Sequence, residues 1–285
     1  MRLAVSNIAW DPEERLGAYK AMTEAGFTGL EIAPGLFFHG SSDPLVPSEA
    51  NANEALAEMT DHGLVFVSMQ SLLFRVQGAG LFDGDDAQAA LIKGMNRAID
   101  LAGRFGIPNL VFGSPAQRKV PSGMAMEPAL DEASKVFRAL GDRAHTAGTC
   151  ITIEAVPAAY GTNFLNSFEE VVLFVERVDH PAIAPILDLG AMHMNGSFDE
   201  VARHLRKLSK ELNHVHVSEP ELALAPAEPE RLAPVLKALS AHGYDKAVSI
   251  EMRRQESGLA GVKSAIAALA HAAKLGGAYR GITHA

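Results

Sequence analysis

Five helical patterns in this chain end at a glycine followed at once by an apolar or β-branched residue: Gly26-Phe27, Gly63-Leu64, Gly106-Ile107, Gly148-Thr149 and Gly243-Tyr244. Glycine just past a helix takes the left-handed conformation that ends it, and the next residues are free to enter a strand. The device repeats from one end of the chain to the other, so it specifies a strand-helix alternation. The expected strands are Leu3 to Asn7, Gly29 to Ala33, Val65 to Ser68, Asn109 to Gly113, Cys150 to Glu154, Ala184 to Asp188, His214 to Val217 and Ala247 to Glu251. They are continuous apolar runs, as parallel strands covered by helices on their outer face require. Helices are expected over Pro12 to Ala25, Ser48 to His62, Ala87 to Phe105, Glu127 to Ala147, Ser167 to Val178, Asp199 to Leu212, Pro229 to His242 and Gly258 to Leu275. Ser48 and Ser167 read as N-caps, each with acidic residues in the turn that follows.

Eight such pairs in 285 residues point to one closed (β/α)8 TIM barrel spanning residues 1–285 as a single α/β domain. A doubly wound open sheet is the alternative, and it would scatter the strand ends. The longest connections, Pro34 to Pro47, Gln70 to Asp86, Ser114 to Met126 and Glu219 to Pro229, all follow strands, which puts them on the face where barrel enzymes carry their sites.

The formal net charge of −9 argues against a nucleic-acid partner, which needs a basic face. The one cysteine, Cys150, lies inside an apolar strand and excludes an internal disulfide. Met1 to Asn7 runs directly into a strand, and no uncharged apolar run approaches the ~20 residues of a membrane span. A cytoplasmic protein with no membrane partner is expected. Helix periodicity leaves a homo-oligomer open.

Four consecutive strands end in a side chain able to bind a metal: Glu154, Asp188, His216 and Glu251. In a closed barrel those ends surround one point. Three carboxylates and an imidazole form an oxygen-rich set, suited to Mn²⁺, Mg²⁺ or Co²⁺ before zinc. Taken singly, each carboxylate reads equally as a helix cap or a salt-bridge partner; the joint pattern carries the weight.

On these residues the chain resembles the sugar phosphate isomerase/epimerase superfamily, the xylose-isomerase-like barrels that include ketose 3-epimerases, hydroxypyruvate isomerases and inosose dehydratases. The motifs are Thr152-Ile153-Glu154, Ile186-Leu187-Asp188, His214-Val215-His216-Val217-Ser218-Glu219 and Ser249-Ile250-Glu251, with ligand spacings of 34, 28 and 35 residues. The resemblance implies one divalent metal, Mn²⁺ or Mg²⁺ first and Co²⁺ or Zn²⁺ next, held by Glu154, Asp188, His216 and Glu251. It further implies a small carbohydrate-like substrate. Glu154 would remove a proton beside the substrate carbonyl, the metal would stabilise the enediolate, and Glu251 would return a proton. Return to the opposite face is epimerisation, return to the neighbouring carbon is isomerisation, and departure of hydroxide is dehydration. A dehydratase of an inosose- or dehydroshikimate-like substrate and a non-catalytic sugar-binding barrel are the alternatives.

His193, in Met192-His193-Met194-Asn195, resembles the substrate-contacting His-Met-Asn of that family, although four residues separate it from Asp188 where the family has two. Arg118 and Arg253, each just after a strand, are candidate partners for a phosphate or carboxylate. Trp10, with Phe37, Phe38 and Phe74, is a candidate apolar wall. Glu31 is expected at the end of the second strand, as a substrate contact beside the site or in a salt bridge within the barrel. His214, two residues before His216, points the same way and is a candidate partner of the ligand set. Two family features are missing. Leu222 stands where the ketose 3-epimerases have an arginine, and Ala158-Ala159-Tyr160-Gly161 where they have a second glutamate. The resemblance therefore supports the chemistry better than it supports a free ketohexose as substrate.

Overall fold

The computed structural model describes residues 1–208 and 211–278. Among them, eight parallel strands follow one another in sequence order and close on themselves: β1 (Arg2–Ser6), β2 (Gly29–Ile32), β3 (Val65–Met69), β4 (Asn109–Phe112), β5 (Cys150–Ile153), β6 (Ile183–Asp188), β7 (His214–Val217) and β8 (Ala247–Ile250). This is the (β/α)8 barrel. Helices lie between the strands: α1 (Arg15–Glu24), α2 (Pro34–Phe37), α3 (Glu49–Asp61), α4 (Asp85–Phe105), α5 (Met126–Thr146), α6 (Phe168–Val178), α7 (Leu189–Met194), α8 (Val201–Leu208) and α9 (Pro229–Ala241), with α10 (Leu259–Leu275) last.

The five expected glycine junctions all adopt positive φ, from 64° at Gly106 to 87° at Gly243. Ser48 Oγ accepts the Asn51 amide, and Ser167 forms a reciprocal capping box with Glu170. Two differences from the sequence reading stand out. The helix expected from Pro12 begins at Arg15, because Pro12–Glu14 forms a single 3₁₀ turn. The stretch after Asp188, where no helix is expected before Asp199, holds α7, for which Asp188 is the N-cap. Of the helix expected over Asp199 to Leu212, residues 209–210 lie outside the described residues.

Packing divides the chain into two compact units, residues 1–67 with 188–285, and residues 68–187. In the first unit, β1 pairs with β2 (Ala4↔Gly29, Ser6↔Glu31) and with β8 (Ala4↔Ser249), while β7 pairs with β8 (His216↔Ser249). Side chains alternate along a strand, so Gly29 and Glu31 share a face, as do His214 and His216, and Ala247, Ser249 and Glu251. Ala4, Val67 and Ala247 form a small apolar cluster. Polar side chains therefore crowd toward the C-terminal strand ends, above a floor of small residues.

In the second unit, β4 pairs with β5 (Phe112↔Ile153) and β5 with β6 (Ile153↔Pro185). Asn109 donates to Ser68 Oγ at 2.9 Å and to Thr152 Oγ1 at 3.3 Å, so the polar groups in these strands are paired. A chain of edge-to-face rings, Phe82, Phe164, Phe174, Phe137 and Phe112, joins loop, helices and strand at centroid spacings of 4.9 to 5.8 Å.

Gly29 is where β2 has no room. A Cβ there would lie 2.8 Å from Ala4 Cβ and 2.9 Å from Val67 Cγ1. Gly29→Ala is expected to lower stability by about 1–3 kcal/mol through overpacking, read by urea denaturation; an unchanged midpoint would show that the floor yields.

Candidate metal centre

Three of the four expected ligands meet within the first unit. Asp188 is the last residue of β6, His216 lies in β7, and Glu251 follows β8, its N–H still donating to Val217 O at 3.0 Å. His216 Nδ1 is 3.2 Å from Glu251 Oε2 and 3.7 Å from Asp188 Oδ2. All three residues are buried, with Asp188 and Glu251 each 8% exposed.

Each of the three is held from behind. Asp188 Oδ1 accepts the Ala191 amide at 2.5 Å, and Asp188 Oδ2 accepts the Ser218 hydroxyl at 2.6 Å. Ser218 Oγ in turn accepts the Gly190 amide at 2.8 Å. Gly190 permits that approach, since a Cβ there would lie 2.9 Å from Ser218 Oγ. The opposite nitrogen of His216, Nε2, lies 3.0 Å and 3.2 Å from the two oxygens of Glu31. A carboxylate only accepts, so Nε2 carries a proton toward Glu31, and Nδ1 is the nitrogen turned toward the oxygens of Asp188 and Glu251, where a cation would displace any proton it holds.

Burial raises the pKa of Glu251; the positive pull of His216 offsets this in part, and the nearby Asp188 and Glu31 carboxylates add to the rise. For Glu31 burial also opposes ionisation, but the charges and hydrogen bonds of His216 and His214 outweigh it and hold the group well below the usual carboxylate range. Burial lowers the pKa of His214, against the pull of Glu31. Two carboxylate oxygens and one imidazole nitrogen converge on one point. The donor set fits a divalent cation of borderline or hard character.

Glu154 stands at the end of β5 in the second unit, half-buried, its N–H donating to Phe112 O at 3.1 Å. A Cβ on Gly113 would collide with Glu154 Oε2, so the glycine leaves room for the carboxylate. The Glu154 carbonyl accepts from Arg118 Nη1 at 2.8 Å, and Arg118 Nη2 donates to Leu165 O at 3.3 Å. Arg118 is fully buried, and burial pulls its pKa down to about 10 against the pull of the Glu154 and Glu170 carboxylates. Its guanidinium thus ties together the two ends of the segment from Glu154 to Leu165, which is a different use from the anion contact expected of it.

The remaining candidates fall in several places. His193 lies on α7, its ring stacked on Phe198 at 4.0 Å, and it lines a small pocket with Ser218, Glu219, Glu228 and Arg231. Trp10, 3% exposed, packs edge-on against Tyr19, and Phe37 and Phe38 are likewise buried, whereas Phe74 is 65% exposed. Arg253 has an exposed side chain, and its amide donates to Leu222 O at 2.9 Å. The adjacent Arg254 pairs with Asp11 and Glu14. Glu31 has no exposed surface and pairs with His214 and His216. Ser218 was not singled out in the sequence, although the spacing His214, His216, Ser218 puts it on their face.

Residues 19–272 match the family of xylose isomerase-like TIM barrels. The chain belongs to that family. Among solved structures it is similar to a 3-keto-D-glucoside 4-epimerase from E. coli in its apo form (TM-score 0.74, 19% identity, 96% of this chain and 99% of that one). It is similar as well to a D-psicose 3-epimerase solved in the presence of D-fructose (TM-score 0.77, 17% identity, 97% and 100%). A third similar structure is the IolI protein with a bound zinc atom (TM-score 0.68, 16% identity, 99% and 100%). At these identities the likeness is one of fold. No curated protein matches the chain. No described helix is long and apolar enough to cross a membrane.

Because one ammonium reaches one carbonyl where the guanidinium reaches two, Arg118→Lys is expected to cost about 1–3 kcal/mol through the charge-assisted hydrogen bond that is lost. Hydrogen exchange should show faster loss of protection at the Val156 amide, which donates to Leu165 O. Unchanged protection there would show that Arg118 does not anchor the segment.

Proposed function

We propose that this protein is a divalent-metal-dependent isomerase or epimerase of a small sugar, sugar phosphate or sugar acid. The observation that carries the reading is the orientation of His216, whose Nε2 is taken by Glu31 while Nδ1 turns toward the carboxylates of Asp188 and Glu251. Glu154 is proposed as the fourth ligand. It follows β5, which runs in register with β6, and β6 ends in Asp188. The epimerases of similar fold and the zinc-bound IolI protein support both metal binding and a carbohydrate substrate. Mn²⁺ or Mg²⁺ suits the oxygen-rich donors best, with Co²⁺ and Zn²⁺ next.

When bound, the metal would polarise the substrate carbonyl and neutralise charge that develops on the oxygens of an enediolate. The protein's own groups do the rest. Glu154 removes the proton beside the carbonyl, and its placement is set by Arg118 and Gly113. Glu251, across the cluster from Glu154 in this reading, returns a proton. His193, stacked on Phe198 beside Glu219 and Arg231, is proposed to contact substrate hydroxyls. Arg253, with its exposed side chain, is the candidate for an anionic substituent.

The test is solvent deuterium exchange at substrate carbon, followed by NMR over a panel of ketoses, their phosphates and keto acids, with protein stripped by chelator and reloaded with Mn²⁺. Exchange should require the metal and fall by about 10²–10⁴-fold in Glu154→Gln. Appearance of enone absorbance with loss of water would replace the reading by a dehydratase, and metal-independent exchange would end it.

A further inference from the structure

Glu31 and His214 remain outside the donor set, and neither has any exposed surface. His214 Nε2 lies 2.6 Å from Glu31 Oε2, and His216 Nε2 lies 3.0 Å from Glu31 Oε1. One carboxylate thus accepts from two imidazoles, whose rings stand edge to face at 89° with centroids 5.1 Å apart. The other nitrogen of His214, Nδ1, is buried and meets no hydrogen-bond partner among the described residues. His214 thus reaches Glu31 through Nε2, while the oxygens of Asp188 and Glu251 face His216. Gly29 lies two residues before Glu31 on the same face of β2 and has no space beside it, which fixes the height at which the carboxylate stands.

We propose that Glu31 is a positioning residue for metal binding: it holds the Nε2 proton of His216, so that Nδ1 is the nitrogen offered between Asp188 and Glu251, and His214 fixes the Glu31 carboxylate for that task. The inference rests on the proposed metal site and assigns the residues that orient one of its ligands. Sequence reading put Glu31 among the substrate contacts; its complete burial and its two imidazole partners assign it this different work. An amide in its place has one accepting oxygen and one NH₂ group. The NH₂ cannot accept, so either His214 loses its acceptor or His216 keeps only the longer, 3.2 Å, of its two contacts with this side chain. An oriented acceptor behind a histidine ligand also raises the basicity of the nitrogen that binds the metal.

Two measurements test this. In metal-free wild-type protein with ¹⁵N-labelled histidine, the ring shifts of His216 should report a proton on Nε2, alone or with a second proton on Nδ1; an Nε2 without a proton would overturn the proposal. In Glu31→Gln, calorimetric titration with Mn²⁺ alone should show affinity weaker by about 10–100-fold; a folded variant with wild-type affinity would overturn it equally. If Glu31→Gln does not fold, the wild-type tautomer decides. Wild-type protein that shows the Nε2 tautomer but takes up no Mn²⁺ would remove the proposed metal-dependent function and leave the orientation of His216 by Glu31 standing.

Discussion

Two imidazoles sharing one carboxylate in a dry interior is an arrangement that the rest of the first unit has to support. Glu31, His214 and His216 are all fully buried, so no solvent competes for their hydrogen bonds, and loss of any one leaves a polar group stranded. The small floor of Ala4, Gly29, Val67 and Ala247 leaves the space above it for these large side chains. With His216 tied at Nε2, the only freedom left to its other nitrogen is to face Asp188 and Glu251. Asp188 is tied in the same manner, by Ser218 and by the first turn of α7. Precision at the strand ends thus comes from hydrogen bonds one layer further in.

The architecture was legible because its signals are local. A glycine after a helix and a continuous apolar run each report their own few residues, and all five glycine junctions adopt the conformation that the sequence asks for. Asp188, His216 and Glu251 were legible by the same means, as the closing residues of apolar strands. Asp188 shows why the two readings of such a residue need not compete: it caps α7 through one oxygen and faces His216 with the other. The cap was weighed, but α7 itself was not seen, because a six-residue helix containing Gly190 offers too little periodicity to read.

What sequence could not give is where a long side chain goes. Arg118 follows a strand and carries a charge, which suits an anion contact, yet its guanidinium turns inward to two backbone carbonyls. Trp10 follows β1 and Phe37 closes α2, and both are core residues, whereas Phe74, from the same pattern, is largely exposed. Ser218 was readable from the period of two that begins at His214, but a hydroxyl carries no metal signature to draw attention to it. Substrate choice belongs to the same class of question. On the proposed reading it would depend on loops such as the one that holds His193 against Phe198, and on Leu222 and Ala158 to Gly161, where the resemblance to the ketose 3-epimerases breaks down.

The account stands on one centre at the strand ends, entered by His216 through Nδ1. A crystal structure of the protein soaked with Mn²⁺, read by anomalous scattering at the manganese edge, tests that directly. A single ion bonded to Asp188, Glu251 and His216 Nδ1, with Glu154 completing the set and Glu31 still on Nε2, is the expected result. An ion bound elsewhere, or one bonded to His216 through Nε2 with Glu31 displaced, would contradict it.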